Sequence, residues 1–181
     1  SQDLQLNDNF VFHTGGRVYG DGYAIELRKK DFAYWTDPAG KIALDALGDH
    51  SLGSGNVTAV DWSYSNSYVV VGAAPKGVVN EVRVLAFSGF SLSELGGYEF
   101  SQAVNCVSWH PTDYYIACGL AAGTDFQILK FNTTTFALTA PDSVNTGAVA
   151  SVAWRPDGNY VAVTYGSTLA VYSFDSGTDQ L

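Results

Sequence analysis

The chain has 181 residues, with nine Lys and Arg against eighteen Asp and Glu, and a formal net charge of −9. Phosphate binding needs a basic face, so this balance excludes nucleic acid and anionic membrane surfaces as expected partners. No apolar run approaches the roughly 20 residues of a membrane helix, and we expect no membrane insertion. The sequence contains no Met, which predicts a processed product or a fragment.

Residues 1–55 are rich in strand-favouring residues, in the stretches 9–13, 23–28, 32–35 and 42–47. Glycine and Asp-Pro turns separate them. Two interpretations are favoured, and an irregular cap is the remaining alternative. In one, the segment is a degenerate blade whose third strand is 32–37. In the other, the stretch 15–27, GGRVYGDGYAIEL, resembles a rung of a right-handed β-solenoid. No helix follows Gly20-Asp21-Gly22, so this turn predicts no phosphate site.

The rest of the chain repeats. Trp62, Trp109 and Trp154 are 47 and 45 positions apart; each follows a Val by two residues and precedes a Tyr by six. Each Trp ends one predicted strand and each Tyr begins the next, and in the last unit Pro156 to Gly158 reads as the tight turn between them. A third strand and a more polar fourth strand follow, which predicts four-stranded antiparallel blades over 56–100, 101–143 and 144–181, with a stub of a fourth strand at 179–181.

These units resemble WD-repeat blades, and the divergent bacterial tandem type in particular. The resemblance rests on VNCVSWHPTDYYIACG…FQILKFN in the middle unit and VASVAWRPDGNYVAVTYG…LAVYSFD in the last. It covers residues 56–181. The units depart from the family in lacking its Gly-His pair and the Trp-Asp that ends the third strand. The resemblance implies an all-β fold of β-propeller blades, three of them clear and one a candidate at 1–55, with a ring that one chain leaves incomplete.

The spacing that the three units share predicts a structural core formed by the same residue types in each unit. Its predicted members are Trp62, Trp109, Trp154, Tyr68, Tyr115 and Tyr160. The two cysteines, Cys106 and Cys118, lie symmetrically about Thr112, so an in-register hairpin would place them opposite each other, as two reduced thiols.

No pattern of catalysis is visible. His13, His50 and His110 lie far apart, without the nucleophile elbow or metal-ligand spacing of known sites. We therefore predict no catalytic residues, no cofactor and no metal. The alternative is a propeller enzyme or small-ligand binder. Its candidate site residues at the blade openings are limited to Asp61, Asn105 and Arg155. Asn56 and Asn132 begin glycosylation sequons, which occur by chance at this composition.

The predicted function is therefore a non-enzymatic structural or protein–protein interaction module. Its partner is expected to be other copies of itself or an unknown protein. Open sheet edges favour self-association into an oligomer or filament, with Leu4, Leu6, Leu169 and Val171 as the predicted edge-strand interface. The alternative is part of a larger closed propeller that binds a protein. The compartment is undetermined; the composition suits a secreted or cell-surface protein.

Overall fold

The computed structural model describes residues 50–52, 56–75, 80–89 and 91–181, together with four short strands before residue 50. Every element in this part of the chain is a β-strand. The described residues contain no helix long and apolar enough to cross a membrane. By its contacts the chain divides into a unit of residues 1–46 and a unit of residues 47–181.

The first unit contains two small antiparallel pairs. The strands β1 (Arg17–Gly20) and β2 (Tyr23–Glu26) form one, and β3 (Trp35–Thr36) and β4 (Ile42–Ala43) form the other. The choice between a degenerate blade and a solenoid rung stays a prediction. The predicted strand at 9–13 and the interface residues Leu4 and Leu6 lie outside the described residues.

The second unit consists of three successive antiparallel sheets, here called blades 1, 2 and 3, whose strands follow one another in space as they do in sequence. Blade 1 comprises β5 (Val57–Trp62), β6 (Tyr68–Ala73), β7 (Val82–Ser88) and β8 (Ser91–Tyr98). Blade 2 comprises β9 (Val104–Trp109), β10 (Tyr115–Leu120), β11 (Phe126–Phe131) and β12 (Leu138–Val144). Blade 3 comprises β13 (Val149–Trp154), β14 (Tyr160–Tyr165) and β15 (Thr168–Ser173).

Blade 3 has three strands where the other two have four. After β15 the chain turns at residues 175–178, and Asp175 forms a bridge with Gln180. In blade 2 the equivalent bond runs from the Asn132 N–H to the Ala137 carbonyl, immediately before β12. Leu181 therefore occupies the position at which Leu138 begins the fourth strand of blade 2.

The two larger apolar clusters lie between the blades, and a smaller one, formed by Val69, Val71 and Leu85 with Leu52 and Leu92, lies on blade 1. One apolar cluster joins Val70, Val82 and Val84 of blade 1 to residues of blade 2 that include Val104, Val107 and Trp109. A second cluster joins the opposite face of blade 2 to blade 3. The second strand of blade 2, β10, lies between the two clusters and is covered on both sides, so all six of its residues are buried. Two-sided burial accounts for the absence of charged residues in this strand.

The predicted pairing of the two cysteines is wrong by one residue. Cys106 lies opposite Gly119, and Cys118 lies opposite Val107. Because side chains alternate between the faces of a sheet, this single step places the thiols on opposite sides of blade 2. Cys118 belongs to the cluster with blade 1 and Cys106 packs against the cluster with blade 3. Both are free cysteines, and burial raises the pKa of the Cys106 thiol to about 11.

Candidate interaction surface

Each blade has two distinct faces. We call the face that turns towards the preceding blade its leading face, and the one that turns towards the following blade its trailing face. Successive side chains of a strand point to opposite faces of the sheet, so each repeated side chain can be assigned to one of the two faces. The Val and Trp of the first strand lie on the leading face. The Tyr that begins the second strand lies on the trailing face.

At the junction between blades 1 and 2, the ring of Trp109 stacks on that of Tyr68, with centroids 6.4 Å apart. Trp109 is only 4% exposed. Its backbone N–H donates to Oδ2 of Asp61 at 2.7 Å, while Oδ1 of the same carboxylate accepts from the N–H of Trp62 at 2.8 Å. The Asp61 side chain therefore joins the first strands of two blades.

The junction between blades 2 and 3 uses the same positions. The indole Nε1 of Trp154 donates to the Ser108 carbonyl at 3.0 Å. The Tyr115 hydroxyl donates to the Ser176 carbonyl at 3.1 Å and to the Asp179 carboxylate. Lys130 forms an ion pair with the same carboxylate, its Nζ 2.9 Å from Oδ1. The predicted Trp and Tyr positions are therefore contact points between blades.

His110 begins the loop between β9 and β10, and it lies at the second junction. It is buried, and its Nε2 lies 3.0 Å from the carbonyl of Gly158, while its Nδ1 accepts the Thr112 N–H at 3.3 Å. This pattern fits a neutral imidazole with its proton on Nε2. Burial lowers the pKa of His110 below its ordinary value. Gly158, at φ 77°, lies so close that a Cβ there would be 2.3 Å from the imidazole.

Two further features of the junctions were not predicted from the sequence. A Cβ on Gly72 would lie 2.8 Å from Val104 Cγ1, and one on Gly119 would lie 2.4 Å from Val149 Cγ1. Because these glycines have no Cβ, they leave room for the first strand of the next blade. Thr58 Oγ1 donates to the Val104 carbonyl, and Asn105 Nδ2 donates to the Val149 carbonyl at 2.9 Å. The sequence signal for these contacts is that a glycine and a polar residue each recur at equivalent positions of the first two units.

The expectation that all the repeated aromatic residues are buried is wrong at the two ends of the array. Trp62 is 48% exposed and Tyr160 is 39% exposed, whereas Tyr115 is 2% exposed. Trp62 is on the leading face of blade 1, and Tyr160 is on the trailing face of blade 3. The Trp62 ring meets Phe87 edge to face at 5.2 Å, and the Arg155 guanidinium lies 4.1 Å from the centroid of Tyr160. Within the described part of the chain, neither ring has the blade-to-blade partner that covers its counterparts at the inner junctions.

Four of the other exposed apolar side chains belong to the same two faces. Val57 and Val60 accompany Trp62 on blade 1, and Leu169 (68% exposed) and Val171 (61% exposed) accompany Tyr160 on blade 3. The last two were predicted as interface residues. Exposed apolar groups clustered on one face are typical of a surface that contacts another protein.

The free backbone edge of blade 3 is the second exposed feature. Among the described residues β15 pairs with β14 alone. Phe174 donates its N–H to Asn159 towards β14, so the alternation of an antiparallel ladder turns the backbone groups of Leu169, Val171 and Ser173 outwards. β15 carries neither a charged residue nor proline. The outer strands of the other blades are protected: β8 carries the charged Glu94, and β12 carries both Pro141 and Asp142.

The side chains suggested for a catalytic alternative are not brought together. Asp61 binds backbone N–H groups and Asn105 binds a carbonyl, as described. Arg155 forms an ion pair with Asp157, which lowers the pKa of that carboxyl to about 2. No group of three His, Cys, Asp or Glu residues that could hold a metal ion occurs in the part of the chain that the structure describes.

Comparison with known proteins agrees with this geometry. Residues 89–131 match the family model of the WD domain, G-beta repeat. The match begins just before β8 and ends with β11, so it spans the junction between blades 1 and 2. No curated protein sequence matches the chain significantly.

Several solved structures share the fold at low sequence identity. The β-propeller domain of Cps50 (Swd1) from Myceliophteria thermophila aligns with a TM-score of 0.56 and 14% identity, over 70% of this chain and 43% of that one. A chain of the mitotic checkpoint complex gives 0.55 and 15%, over 65% and 37%. A protein from Bacteroides uniformis, named as a candidate 6-phosphogluconolactonase, gives 0.61 and 14%, over 81% and 44%. The chain thus spans less than half the length of these structures.

The repeat, the shared junction geometry and the family match lead to one conclusion. Residues 57–181 are successive WD-repeat-like blades of a β-propeller, in an all-β chain whose described sheets do not close on themselves.

Proposed function

We propose that this chain is a non-enzymatic protein–protein interaction module that self-associates by strand addition to the open edge of β15. Strand addition supplies main-chain hydrogen bonds, and the neighbouring side-chain faces supply specificity. The second copy contributes the added strand. The predicted stretch for this role is Asp3 to Leu6, where polar and apolar residues alternate. In the alternative, the same stretch of the same chain fills the edge and the ring closes on itself. In this proposal the predicted segment of residues 1–55 supplies the added strand, and the predicted blades over 56–181 supply the edge that accepts it.

The observation that carries the proposal is the unprotected edge of β15. Unpaired N–H and C=O groups on a flat, uncharged strand form a template for another strand, and natural proteins protect such edges with charge or proline. The outer strands β8 and β12 follow that rule and β15 does not. Leu169 and Val171, both exposed on the same strand, add apolar surface beside the edge. An added strand would cover both features together.

The test is a proline that removes an outward N–H and leaves the inner ladder intact. In Val171→Pro the lost donor points away from β14, the location in which proline is tolerated in edge strands. Val171→Ala is the matched control, because it removes the apolar side chain and keeps the N–H. We expect the wild-type particle mass to rise with concentration in sedimentation equilibrium. Val171→Pro should remain a monomer, and Val171→Ala should still associate.

Two results would contradict this proposal. One is a wild-type chain that stays monomeric over a concentration range reaching about 100 μM, a weak limit for a specific complex. The other is a Val171→Pro variant with unchanged far-ultraviolet circular dichroism that associates as strongly as the wild type. In either case the edge of β15 is not the site of self-association.

A second candidate function is part of a larger closed propeller that binds a protein partner. It is favoured by the length comparison, since the chain spans 37% to 44% of the structures named above. Under this alternative, further blades of the same polypeptide cover the open edge and faces. Mass measurement on the natural gene product separates the two, because a closed ring needs no second copy to complete it.

A further inference from the structure

Blade 2 carries a cleft that is separate from the edge of β15 and from the exposed faces described above. Its volume is about 390 Å³, at the lower end of the range of roughly 300–1,000 Å³ for small-molecule sites. The cleft lies at one end of the blade, where the loop before β10, the end of β11 and the turn into β12 meet. None of the three side chains weighed for a catalytic site lines it.

One side of the cleft is aromatic. Tyr114 and the buried Phe131 line it. The Tyr114 ring packs against Tyr64, with centroids 5.1 Å apart, and meets Tyr68 edge to face at 6.2 Å. A hydrogen bond with the Tyr114 side chain raises the pKa of Tyr64 to about 12. These contacts hold the Tyr114 ring in place, so the cleft has a fixed apolar surface against which a ligand can pack.

Two planar polar side chains of the cleft are held by the backbone and keep hydrogen-bonding atoms in reserve. Asp113 Oδ1 accepts the Tyr114 N–H at 2.7 Å, while Oδ2 has no partner among the described residues. Asn132 Oδ1 accepts the N–H groups of Thr134 and Thr135, each at 2.9 Å. No described residue accepts a hydrogen bond from Asn132 Nδ2. The cleft therefore offers one fixed acceptor and one fixed donor to a ligand.

Hydroxyl groups supply the rest of the polar lining. Thr133, Thr134 and Thr139 line the cleft, and within the described part of the chain their hydroxyls form no hydrogen bond. A hydroxyl both donates and accepts, so these groups can pair with either kind of polar atom. The lining as a whole is suited to a ligand with several donors and acceptors of its own.

The charges of the cleft exclude ionic ligands. The one cation among its described lining residues is Lys130, whose Nζ already lies 2.9 and 3.0 Å from the two carboxylate oxygens of Asp179. Phosphate or carboxylate groups bind best to cations that are free to pair with them, and a chain of net charge −9 repels anions. A metal ion needs several ligands, and Asp113 is the one carboxylate among the described lining residues. The ligand class that remains is a neutral polar molecule.

We propose that this cleft binds a neutral sugar residue. A sugar ring has an apolar C–H face, which packs on the Tyr114 ring, and hydroxyl groups around its edge. Asp113 Oδ2 accepts a hydrogen bond from one of these hydroxyls, Asn132 Nδ2 donates to another, and the threonine hydroxyls pair with those that remain. Because the cleft belongs to blade 2, sugar binding does not depend on strand addition at β15.

The test is a titration of the isotope-labelled full chain, followed by the shifts of its backbone amide resonances. The probes are D-glucose, D-galactose, D-mannose and N-acetyl-D-glucosamine. A ligand with about a dozen non-hydrogen atoms and ordinary binding efficiency has a dissociation constant of about 1–10 mM. We expect at least one probe to give saturable shifts in this range at Tyr114 and at residues 133–135. Sorbitol is the matched control ligand, because its hydroxyls lie on an open chain without a ring face, and it should not saturate.

Asp113→Asn is the variant that tests the site. It keeps an oxygen for the Tyr114 N–H and replaces the available acceptor with a donor. The dissociation constant should rise at least about tenfold, as expected for the loss of a hydrogen bond to a charged group. Asp175→Asn is the matched control. It removes the same charge from a carboxylate whose Oδ1 accepts the Gly177 N–H at 2.9 Å, and it lies outside the lining of the cleft. This control should bind the sugar as tightly as the wild type does.

Several results would overturn the proposal. One is the lack of saturable shifts at the cleft with all four sugars up to about 100 mM, a concentration well above the expected dissociation constant. Others are saturable shifts confined to another part of the chain, or sorbitol or inorganic phosphate that binds the cleft as tightly as the best sugar. A folded Asp113→Asn variant with unchanged affinity would also overturn it. If that variant does not fold, Thr134→Val/Thr139→Val removes two hydroxyls from exposed positions, and unchanged affinity in this second variant would overturn the proposal equally.

Discussion

Replacing equivalent tryptophans one at a time tests whether the junctions between blades hold the array together. Trp109 is 4% exposed, stacks on Tyr68 and meets Phe131 edge to face at 6.1 Å. Removing a fully buried large aromatic side chain costs about 3–5 kcal/mol, and we expect Trp109→Ala to fall in this range. Trp62 occupies the same place in the repeat but is 48% exposed. Only about half of its surface is removed from water, so Trp62→Ala should cost about 1.5–2.5 kcal/mol.

The assay is urea unfolding followed by far-ultraviolet circular dichroism, which does not depend on the fluorescence of the residue removed. Measurements are made at a protein concentration where both variants are monomeric, because association would add its own stabilisation. Trp154→Ala, at a partly buried site, should give an intermediate loss. Equal losses for Trp62 and Trp109 would refute the reasoning. They would show that stability is set within each blade and not by the packing of one blade on the next.

Two further predictions concern the junction between blades 2 and 3. A Cβ at Gly119 would lie 2.4 Å from both Cys106 Sγ and Val149 Cγ1, so Gly119→Ala should lower the free energy of unfolding by about 1–3 kcal/mol in the same assay; an unchanged value would mean that the blades separate at no cost. Burial lowers the pKa of His110 below 6.5, which disfavours the protonated form in the folded state. Stability should therefore fall as the pH drops below about 6.5, and His110→Asn should show a weaker decline between pH 7 and pH 5; parallel curves would exclude this residue as the cause.

Much of the fold is determined by local sequence. The recurrence of Trp62, Trp109 and Trp154, each with a Val two residues before it and a Tyr six residues after it, identifies one unit and its approximate length. Alternation and turn residues then place a hairpin in each unit. These signals depend only on near neighbours in the chain, so a single sequence is enough to show WD-repeat-like blades.

The tertiary structure decided which of the repeated residues are buried. Trp62 and Trp109 have the same local signals, but one is half exposed and the other is buried, because burial depends on whether another blade covers that face. The register of the β9–β10 hairpin could not be predicted from the sequence either. A shift of one residue separates Cys106 from Cys118 and leaves the local sequence pattern unchanged.

The contacts between blades were likewise decided by the tertiary structure. The sequence places Asn105 at a blade opening, and the structure places its amide against the carbonyl of Val149, 44 residues along the chain. Nothing in the local sequence distinguishes Gly119 from any other glycine in a strand, and the structure places Val149 of the next blade beside it. In both cases the partner is distant in sequence and is brought near only when one sheet packs on another. The sequence therefore determined the blade, and the packing of blades determined the surfaces left open for a partner.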